Sequence, residues 1–139
     1  MASDLIQFDL VEPDGELYAD IVRRFEGFNR SHTDWGAQAF SMAYSTGGRV
    51  VAAARGVVNM GLVEIRGVWI NPDLRGQGLG RALMRAVETE AHRRGCAKAA
   101  LDTYSWQAVG FYLRLGYVEF GVLDYPNGQR RHYLTKDLR

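Results

Sequence analysis

Apolar residues recur at two different spacings along the chain, and each change of spacing marks the boundary of a predicted element. Residues 5–11, LIQFDLV, are apolar and favour β-structure, and Pro13 follows them, so they predict a strand. From residue 16 the apolar positions recur at intervals of three and four, which predicts a helix over 16–32. Gly27 could end or bend that helix.

The next part of the chain has the alternation of antiparallel strands. Residues 38–45 place Phe40, Met42 and Tyr44 on one side, and Thr46-Gly47-Gly48 is a hairpin signal. RVVAAARGVV, residues 49–58, predicts the partner strand. After a turn at 59–61, residues 62–70 predict a third strand, which runs into a glycine-rich loop.

Helix spacing returns after the loop, from Leu79, and a basic last turn followed by Gly95 predicts where that helix ends. Residues 96–104 predict a strand, and residues 105–116 a short helix with Ser105 as its N-cap. Residues 117–123 and 130–138 predict two closing strands. The order predicts an α/β (α+β) fold whose mostly antiparallel sheet contains one parallel step.

Length and charge limit the function classes. With 139 residues, 47% of them hydrophobic, the chain predicts a single domain over 1–139. A net charge of +1 argues against nucleic acid or a membrane surface as a partner. One cysteine, Cys96, excludes an internal disulfide. The first residues show no basic segment followed by a long apolar run, so we expect no secretory leader. We therefore expect a cytoplasmic protein.

The stretch NPDLRGQGLGRALMRAV, residues 71–87, carries the first candidate chemistry. Gly76, Gly78 and Gly80 fall within five residues, between a predicted strand and a predicted helix. Such a turn exposes backbone N–H groups at the positive end of the helix dipole, and Arg75 adds a cation. The arrangement favours a pyrophosphate.

Four interpretations of this loop compete. A P-loop requires Lys-Ser or Lys-Thr after the second glycine, and neither is present. A dinucleotide fingerprint requires GxGxxG rather than GxGxG, although Asp102 stands where a ribose-binding acid would lie. The glycines could also simply let a helix pack close to a strand. The fourth interpretation is an acyl-CoA loop.

That fourth interpretation rests on resemblance. Arg75-x-x-Gly78-x-Gly80 resembles the acyl-CoA pyrophosphate loop of the GNAT N-acetyltransferase superfamily. Residues 102–117, DTYSWQAVGFYLRLGY, are similar to the second cofactor segment of that family, with matches at Ala108, Phe111, Tyr112, Gly116 and Tyr117. The resemblance covers roughly residues 40 to 137. Ser105 departs from it, because the family often has asparagine there.

The resemblance implies one GNAT acyl-CoA N-acyltransferase domain. Its expected fold is a mixed, mostly antiparallel sheet of six to seven strands, splayed open in a V and flanked by about four helices. Acetyl-CoA is the implied co-substrate, with the pantetheine arm pairing along the backbone like an added strand. The implied cofactor contacts are Val68, Trp69, Ile70, Arg75, Gly76, Gln77, Gly78, Leu79, Gly80, Arg81, Ser105 and Tyr112.

Acetyl transfer to an amine needs a base for the ammonium proton and an acid for the departing sulfur. The resemblance implies Tyr112 as the acid; the alternative is a tyrosine whose ring only packs. Glu64, six residues before Ile70, is the candidate base; the alternatives are a solvent-facing glutamate or a partner for Arg66. No two histidines and no His–Cys pair have metal spacing, so we expect no metal.

Two loops are candidates for the acceptor site. His32, Asp34 and Trp35 follow the first predicted helix, where family members shape that site, although an ordinary loop would carry the same residues. Asp124 and Tyr125, in the turn between the closing strands, could form the opposite wall.

The sequence thus predicts an acetyl-CoA-dependent N-acetyltransferase acting on a primary amine of a small molecule or peptide. No acylated nucleophile stands out, which favours direct attack in a ternary complex. The alternative is a non-catalytic acyl-CoA sensor or partner-binding module on the same fold. The closing strands could also pair across a homodimer. The sequence does not identify the acceptor amine.

Overall fold

A computed structural model describes residues 6–139, and contacts divide the chain into an N-terminal unit ending at Trp35 and a larger unit over Gly36–Arg139. The N-terminal unit contains helix α1 (Glu16–Arg30), which confirms the predicted helix. Gly27 lies inside it and does not end it. Ion pairs one turn apart support the exposed helix surface, as between Asp20 and Arg24 at 2.8 Å.

The predicted first strand is wrong. Residues 6–12 have no regular secondary structure, and residue 5 of the predicted strand lies outside the described residues. Apolar alternation shows only that a segment is compatible with a sheet, because a strand also needs a neighbour that accepts its backbone hydrogen bonds. None of the strands between residues 6 and 139 pairs with this segment.

The larger unit is a six-stranded sheet in the order β1-β2-β3-β4-β6-β5. Only β3 and β4 are parallel, which confirms the predicted mixed, mostly antiparallel sheet with one parallel step. Over residues 6–139 the α-helices number three rather than about four. The elements are β1 (Gln38–Thr46), β2 (Arg49–Asn59), β3 (Leu62–Ile70), a 3-10 turn (Pro72–Leu74), α2 (Leu79–Arg93), β4 (Lys98–Tyr104), α3 (Val109–Arg114), β5 (Val118–Asp124) and β6 (Arg130–Asp137).

The core lies between α2 and one face of the sheet. The buried face of α2 comprises Leu83, Met84, Val87 and Ala91, and burying each larger side chain contributes roughly 1.5–3 kcal/mol. β2 presents small residues to this layer. At Gly56 an added Cβ would lie 3.1 Å from both Phe40 and Val63, so no side chain fits there without displacing them.

Strand β3 contains a β-bulge at the level where its pairing with β4 ends. The pairing of β2 with β3 shifts register so that Arg55 faces Gly67 and Gly56 faces Ile65, which leaves Arg66 as the extra residue. A bulge bends its strand and increases its twist. The parallel pairing of β3 with β4 ends at the same level, with Ile65 opposite Leu101. The ends of β3 and β4 therefore part beyond this point.

Helix α3 begins later than predicted, because its N-cap is Ala108 and not Ser105. The Ser105 hydroxyl is already used elsewhere: it donates to Gln129 at 3.0 Å and accepts from the Arg130 N–H at 3.2 Å. Ser105 thereby ties the end of β4 to the start of β6.

Candidate active site

A cleft of about 1030 Å³ opens where β3 and β4 part. Residues 65–70 of β3 form one wall, and residues 101–104 of β4 with the α3 region form the other. The glycine-rich loop lies at the end of the β3 wall. Because β4 pairs with β3 only as far as Ile65, residues 66–70 present an edge without a strand partner to this cleft.

The loop after β3 has a fixed backbone. The Asn71 side chain accepts the Asp73 N–H at 3.0 Å, and Arg75 Nε donates to the Ile70 carbonyl oxygen at 3.2 Å. Gly76 and Gly78 have φ of +78° and +81°, which side-chain-bearing residues rarely adopt. The glycines therefore permit a backbone path that other residues would strain.

The start of α2 offers unused donors. Ala82 makes the first α2 hydrogen bond, to the Gly78 carbonyl oxygen at 3.1 Å, and Gly78 supplies no side-chain cap. Among residues 6–139, no acceptor takes the N–H groups of residues 76–81. These donors lie at the positive end of the helix dipole, beside the Arg75 and Arg81 guanidinium groups. The loop can therefore bind an anionic phosphate group.

Tyr112 lies on the opposite wall of the cleft. The residue is only 8% exposed, and its ring makes edge contacts with Phe111 and Tyr117, at centroid distances of 5.1 and 5.9 Å. The hydroxyl has no hydrogen-bond partner within residues 6–139, and Tyr112 lines the cleft. Burial raises the pKa of Tyr112 above its usual value near 10, so the phenol stays protonated.

Two carboxylates occupy one face of the sheet where the strands part. Glu64 is paired in register with Ala100, and Asp102 lies two residues further along β4, so both face the same side. Each has a cationic partner: Arg66 lies 3.3 Å from Glu64, and Arg131 lies 2.9 Å from Asp102. Asp102 lines the cleft, whereas Glu64 lies just outside it.

Most of the predicted cofactor residues come together in this cleft. Those lining it are Val68, Trp69, Ile70, Arg75, Gly76, Gly78, Gly80, Arg81 and Tyr112. Gln77, Leu79 and Ser105 do not line it, and the Ser105 side chain points to the β5–β6 turn through its bonds to Gln129 and Arg130.

Gln107 lines the cleft and was missed from the sequence. Its side-chain oxygen accepts the Tyr104 N–H at 2.9 Å and the Thr103 hydroxyl at 3.2 Å. Because the oxygen takes these two donors, the amide NH₂ is the polar group of Gln107 that is left to donate. Gln107 was missed because it stands two residues after Ser105, the position at which the family often has asparagine.

Asp102 was considered from the sequence only as a ribose-binding acid. Its pairing with Arg131, 29 residues away, depends on the β4–β6 register. The Arg131 guanidinium also lies over the Tyr104 and Tyr133 rings, 5.6 and 5.1 Å from their centroids. The hydrogen bond to Asp102 raises the pKa of Arg131, so the guanidinium group stays charged.

The predicted acceptor residues fall in both units. In the N-terminal unit, His32 Nδ1 lies 2.9 Å from the Phe28 carbonyl oxygen, and the Asp34 carboxylate accepts the Thr33 hydroxyl at 3.0 Å. The backbone N–H of Trp35 donates to the Thr33 carbonyl oxygen. Their role stays a prediction.

In the larger unit, Asp124 pairs with Arg130 at 2.8 Å on an exposed turn. The Tyr125 hydroxyl lies 3.4 Å from that of Tyr104, which lines the cleft. The contact with the Tyr104 hydroxyl, and then the nearby Arg131 guanidinium group, lower the pKa of Tyr125. Of the predicted acceptor residues in this unit, Tyr125 is thus the one beside the cleft wall.

Other reactive groups lie away from the cleft. Cys96 is buried and does not line it, and burial raises the pKa of its thiol. Residues 6–139 hold no group of three His, Cys, Asp or Glu side chains placed to bind a metal ion. Within the same residues, no helix has both the length and the apolar character needed to cross a membrane.

Comparison with known proteins agrees with this geometry. Residues 4–117 match the profile of the Acetyltransferase (GNAT) family. The chain is 38% identical over 73 residues to a blasticidin-S acetyltransferase of Streptomyces morookaense, a match covering 51% of this chain and 54% of that protein. It is 35% identical over 92 residues to an acetyltransferase of Agrobacterium fabrum, covering 66% and 64%. The chain therefore matches between half and two thirds of each curated relative.

The fold is similar to that of solved acetyltransferases. The crystal structure of an acetyltransferase from Bacillus cereus superposes with a TM-score of 0.81, at 25% identity, over 94% of this chain and 98% of the other. The agreement extends over nearly the whole of both chains.

Proposed function

The chain belongs to the GNAT family of acetyltransferases, and we propose that it transfers the acetyl group of acetyl-CoA to a primary amine by direct attack in a ternary complex. The observation that carries the proposal is the cleft between β3 and β4, with unused N–H donors at one end and the Tyr112 hydroxyl on its wall. A pyrophosphate and a thioester each find complementary groups in this one cleft.

The loop is proposed to hold the pyrophosphate of acetyl-CoA. The N–H groups of residues 76–81 donate to it, and Arg75 and Arg81 add charge-assisted bonds. The pantetheine arm then lies along the free edge of β3, where Val68, Trp69 and Ile70 supply backbone groups as a neighbouring strand would. An N–H on this edge also polarises the thioester carbonyl oxygen.

Gln107 is proposed to take the part of the asparagine that Ser105 replaces. Its oxygen already accepts the Tyr104 N–H and the Thr103 hydroxyl. The NH₂ group, which is a donor, is therefore the part of Gln107 proposed to bind the cofactor. A carbonyl oxygen of the pantetheine arm is an acceptor of matching chemistry.

The chemical step divides between a base and an acid. The ammonium proton goes to a carboxylate on the acceptor side, with Glu64 as the proposed base and Asp102 as its rival. The neutral amine then attacks the thioester carbon, the C–S bond breaks, and the sulfur takes the Tyr112 proton. The proton that the acylated nitrogen loses restores the Tyr112 phenol. Cys96 is buried outside the cleft, which disfavours an acetyl-enzyme intermediate.

The acceptor is proposed to be a small molecule or peptide that carries a primary amine. One relative is named for blasticidin S, so this compound belongs in a panel with polyamines, amino acids and N-terminal peptides. The proposal covers the amine class and not one compound.

The proposal is tested by binding and turnover. At about 100 times its dissociation constant, acetyl-CoA should stabilise the protein by roughly 2.7 kcal/mol. Arg75→Ala should reduce the shift in melting temperature, whereas Arg49→Ala, an exposed arginine outside the cleft, should not. Thiol release should then depend on an amine from the panel.

Two outcomes contradict the proposal. The absence of any thermal shift with acetyl-CoA would remove the cofactor assignment. A stable acetyl-enzyme formed from acetyl-CoA alone, seen by intact mass spectrometry, would replace direct attack with a two-step mechanism.

A further inference from the structure

A second, smaller depression of about 180 Å³ lies between α2, the end of α3 and β6. It is strongly cationic: Arg81 and Arg85 come from α2, Arg114 from α3 and Lys136 from β6. Four cations here face a single carboxylate, Glu88. The whole chain carries a formal net charge of only +1, so the excess of positive charge is local.

The carboxylate does not neutralise the arginines. Glu88 accepts the Lys136 ammonium at 2.8 Å with one oxygen and the Tyr117 hydroxyl at 2.9 Å with the other. Within residues 6–139, no carboxylate pairs with Arg81, Arg85 or Arg114. Arg81 and Arg85 are one helical turn apart, where like charges repel, so the cluster is complementary to an anion from outside the chain.

This depression adjoins the cofactor cleft, because Arg81 and Arg114 line both. Arg81 lies in the first turn of α2, beside the proposed pyrophosphate site. Arg85 lies one turn further, about 6 Å along the helix axis. A ligand held by the loop can thus extend past Arg81 into the depression.

We propose that the depression is a phosphate subsite that binds the ribose 3′-phosphate of CoA, with Arg85 and Arg114 as its main donors. The inference rests on the proposed function and extends it to the far end of the cofactor. A ribose separates the pyrophosphate from the 3′-phosphate, and the guanidinium group offers paired donors suited to a phosphate. The enzyme therefore distinguishes CoA from dephospho-CoA, which lacks only this group.

Calorimetric titration with CoA and dephospho-CoA tests the subsite. Hydrogen bonds to charged groups are strong, so the wild type should bind CoA about 10- to 100-fold more tightly than it binds dephospho-CoA. In the double variant Arg85→Gln/Arg114→Gln, CoA should bind about as weakly as dephospho-CoA. The affinity for dephospho-CoA should change little, and Arg49→Gln, a substitution away from both depressions, should keep the wild-type ratio.

The outcomes separate this inference from the proposed function. Equal wild-type affinities for the two ligands would overturn the subsite and leave the acetyltransferase proposal intact. A CoA preference that survives the double substitution would also overturn it, since the 3′-phosphate would then bind elsewhere. If neither ligand binds, the proposed function fails and the subsite fails with it. An unchanged melting temperature without ligand would show that the double variant is folded.

Discussion

Gly80 on α2 packs directly against the ring of Phe111 on α3, and both residues line the cofactor cleft: a Cβ added at Gly80 would lie 3.3 Å from Phe111 Cζ. The two similarity segments of the sequence therefore meet in space, and the last glycine of the loop sets the distance between them. Gly80 itself is helical, with φ outside the left-handed region. Gly78, two residues earlier, has φ of +81°, and a Cβ added there would have no atom within 4 Å beyond its own chain neighbours.

The two glycines should therefore respond differently to alanine. Gly78→Ala should lower the free energy of unfolding by roughly 1–2 kcal/mol and weaken acetyl-CoA binding, because the left-handed backbone becomes strained. Gly80→Ala should cost little, because only the Phe111 ring must shift slightly and alanine is a better helix former. Urea unfolding and calorimetry measure both effects. A larger loss of stability in Gly80→Ala would contradict this explanation.

Tyr112→Phe tests the acid. The ring keeps its packing, so we expect an unchanged melting temperature and KM for acetyl-CoA, with kcat lowered by roughly 10²–10⁴. Burial raises the pKa of Tyr112, so the wild-type kcat should show no alkaline decline from this group below about pH 10. Steady-state kinetics against pH measure both quantities. A kcat close to that of wild type would exclude Tyr112 as the acid.

Glu64→Gln and Asp102→Asn separate the two candidate bases. We expect Glu64→Gln to lower kcat/KM near neutral pH, with a deficit that shrinks as pH approaches the amine pKa of roughly 10.4, where the acceptor needs no base. Asp102→Asn leaves the Arg131 charge unpaired, so it should lower stability more than rate. The same pH-dependent deficit in Asp102→Asn alone would transfer the base role to Asp102.

Gln107→Glu keeps the oxygen that Tyr104 requires and removes the NH₂ donors. We expect acetyl-CoA to bind about tenfold more weakly, which corresponds to one lost hydrogen bond of about 1.4 kcal/mol. Adenosine 3′,5′-bisphosphate lacks the pantetheine arm, so its affinity should stay at the wild-type value. An equal loss for both ligands would show that Gln107 only supports the loop.

The sequence predicted the meander and the glycine-rich turn before α2 well because both depend on local chemistry. The glycine pair after Thr46 adopts the positive φ angles that a two-residue hairpin needs, so the pairing of Thr46 with Arg49 follows from the turn, whereas the register shift between Tyr44 and Ser45 does not. The turn at the loop glycines is likewise predictable from sequence, because positive φ angles favour glycine at those positions. What failed depended on distant partners: residues 6–12 found no strand to pair with, and Ser105 bonded to Gln129 and not to a helix N-terminus.

The lining of the candidate site divides in the same way into features that local sequence indicates and features that it does not. The β3 edge, the loop and Tyr112 follow from continuous motifs. The orientation of Gln107 depends on a bond to the Tyr104 N–H, and the charge of Asp102 is balanced by Arg131 through the β4–β6 register. Neither relationship has a spacing that a single sequence reveals.

Tyr117→Phe tests the buried polar cluster behind the cleft. The Tyr117 hydroxyl donates to Glu88 at 2.9 Å, and the residue is 2% exposed. Removing a hydrogen bond to a charged group should lower the free energy of unfolding by about 1.5–3 kcal/mol. Burial, and then the Glu88 charge, raise the pKa of Tyr117 well above 10.

The sign of the pH effect follows from this raised pKa. Above about pH 10 the unfolded chain loses the Tyr117 proton while the folded chain keeps it, so wild-type stability falls as pH rises. Tyr117→Phe removes this group, so its stability should fall less steeply between pH 9 and pH 11, roughly the range around the tyrosine pKa. Urea unfolding at several pH values measures the slope, with Tyr44→Phe, an exposed tyrosine, as the control. If both variants kept the wild-type slope, Tyr117 would not be the group whose ionisation opposes folding.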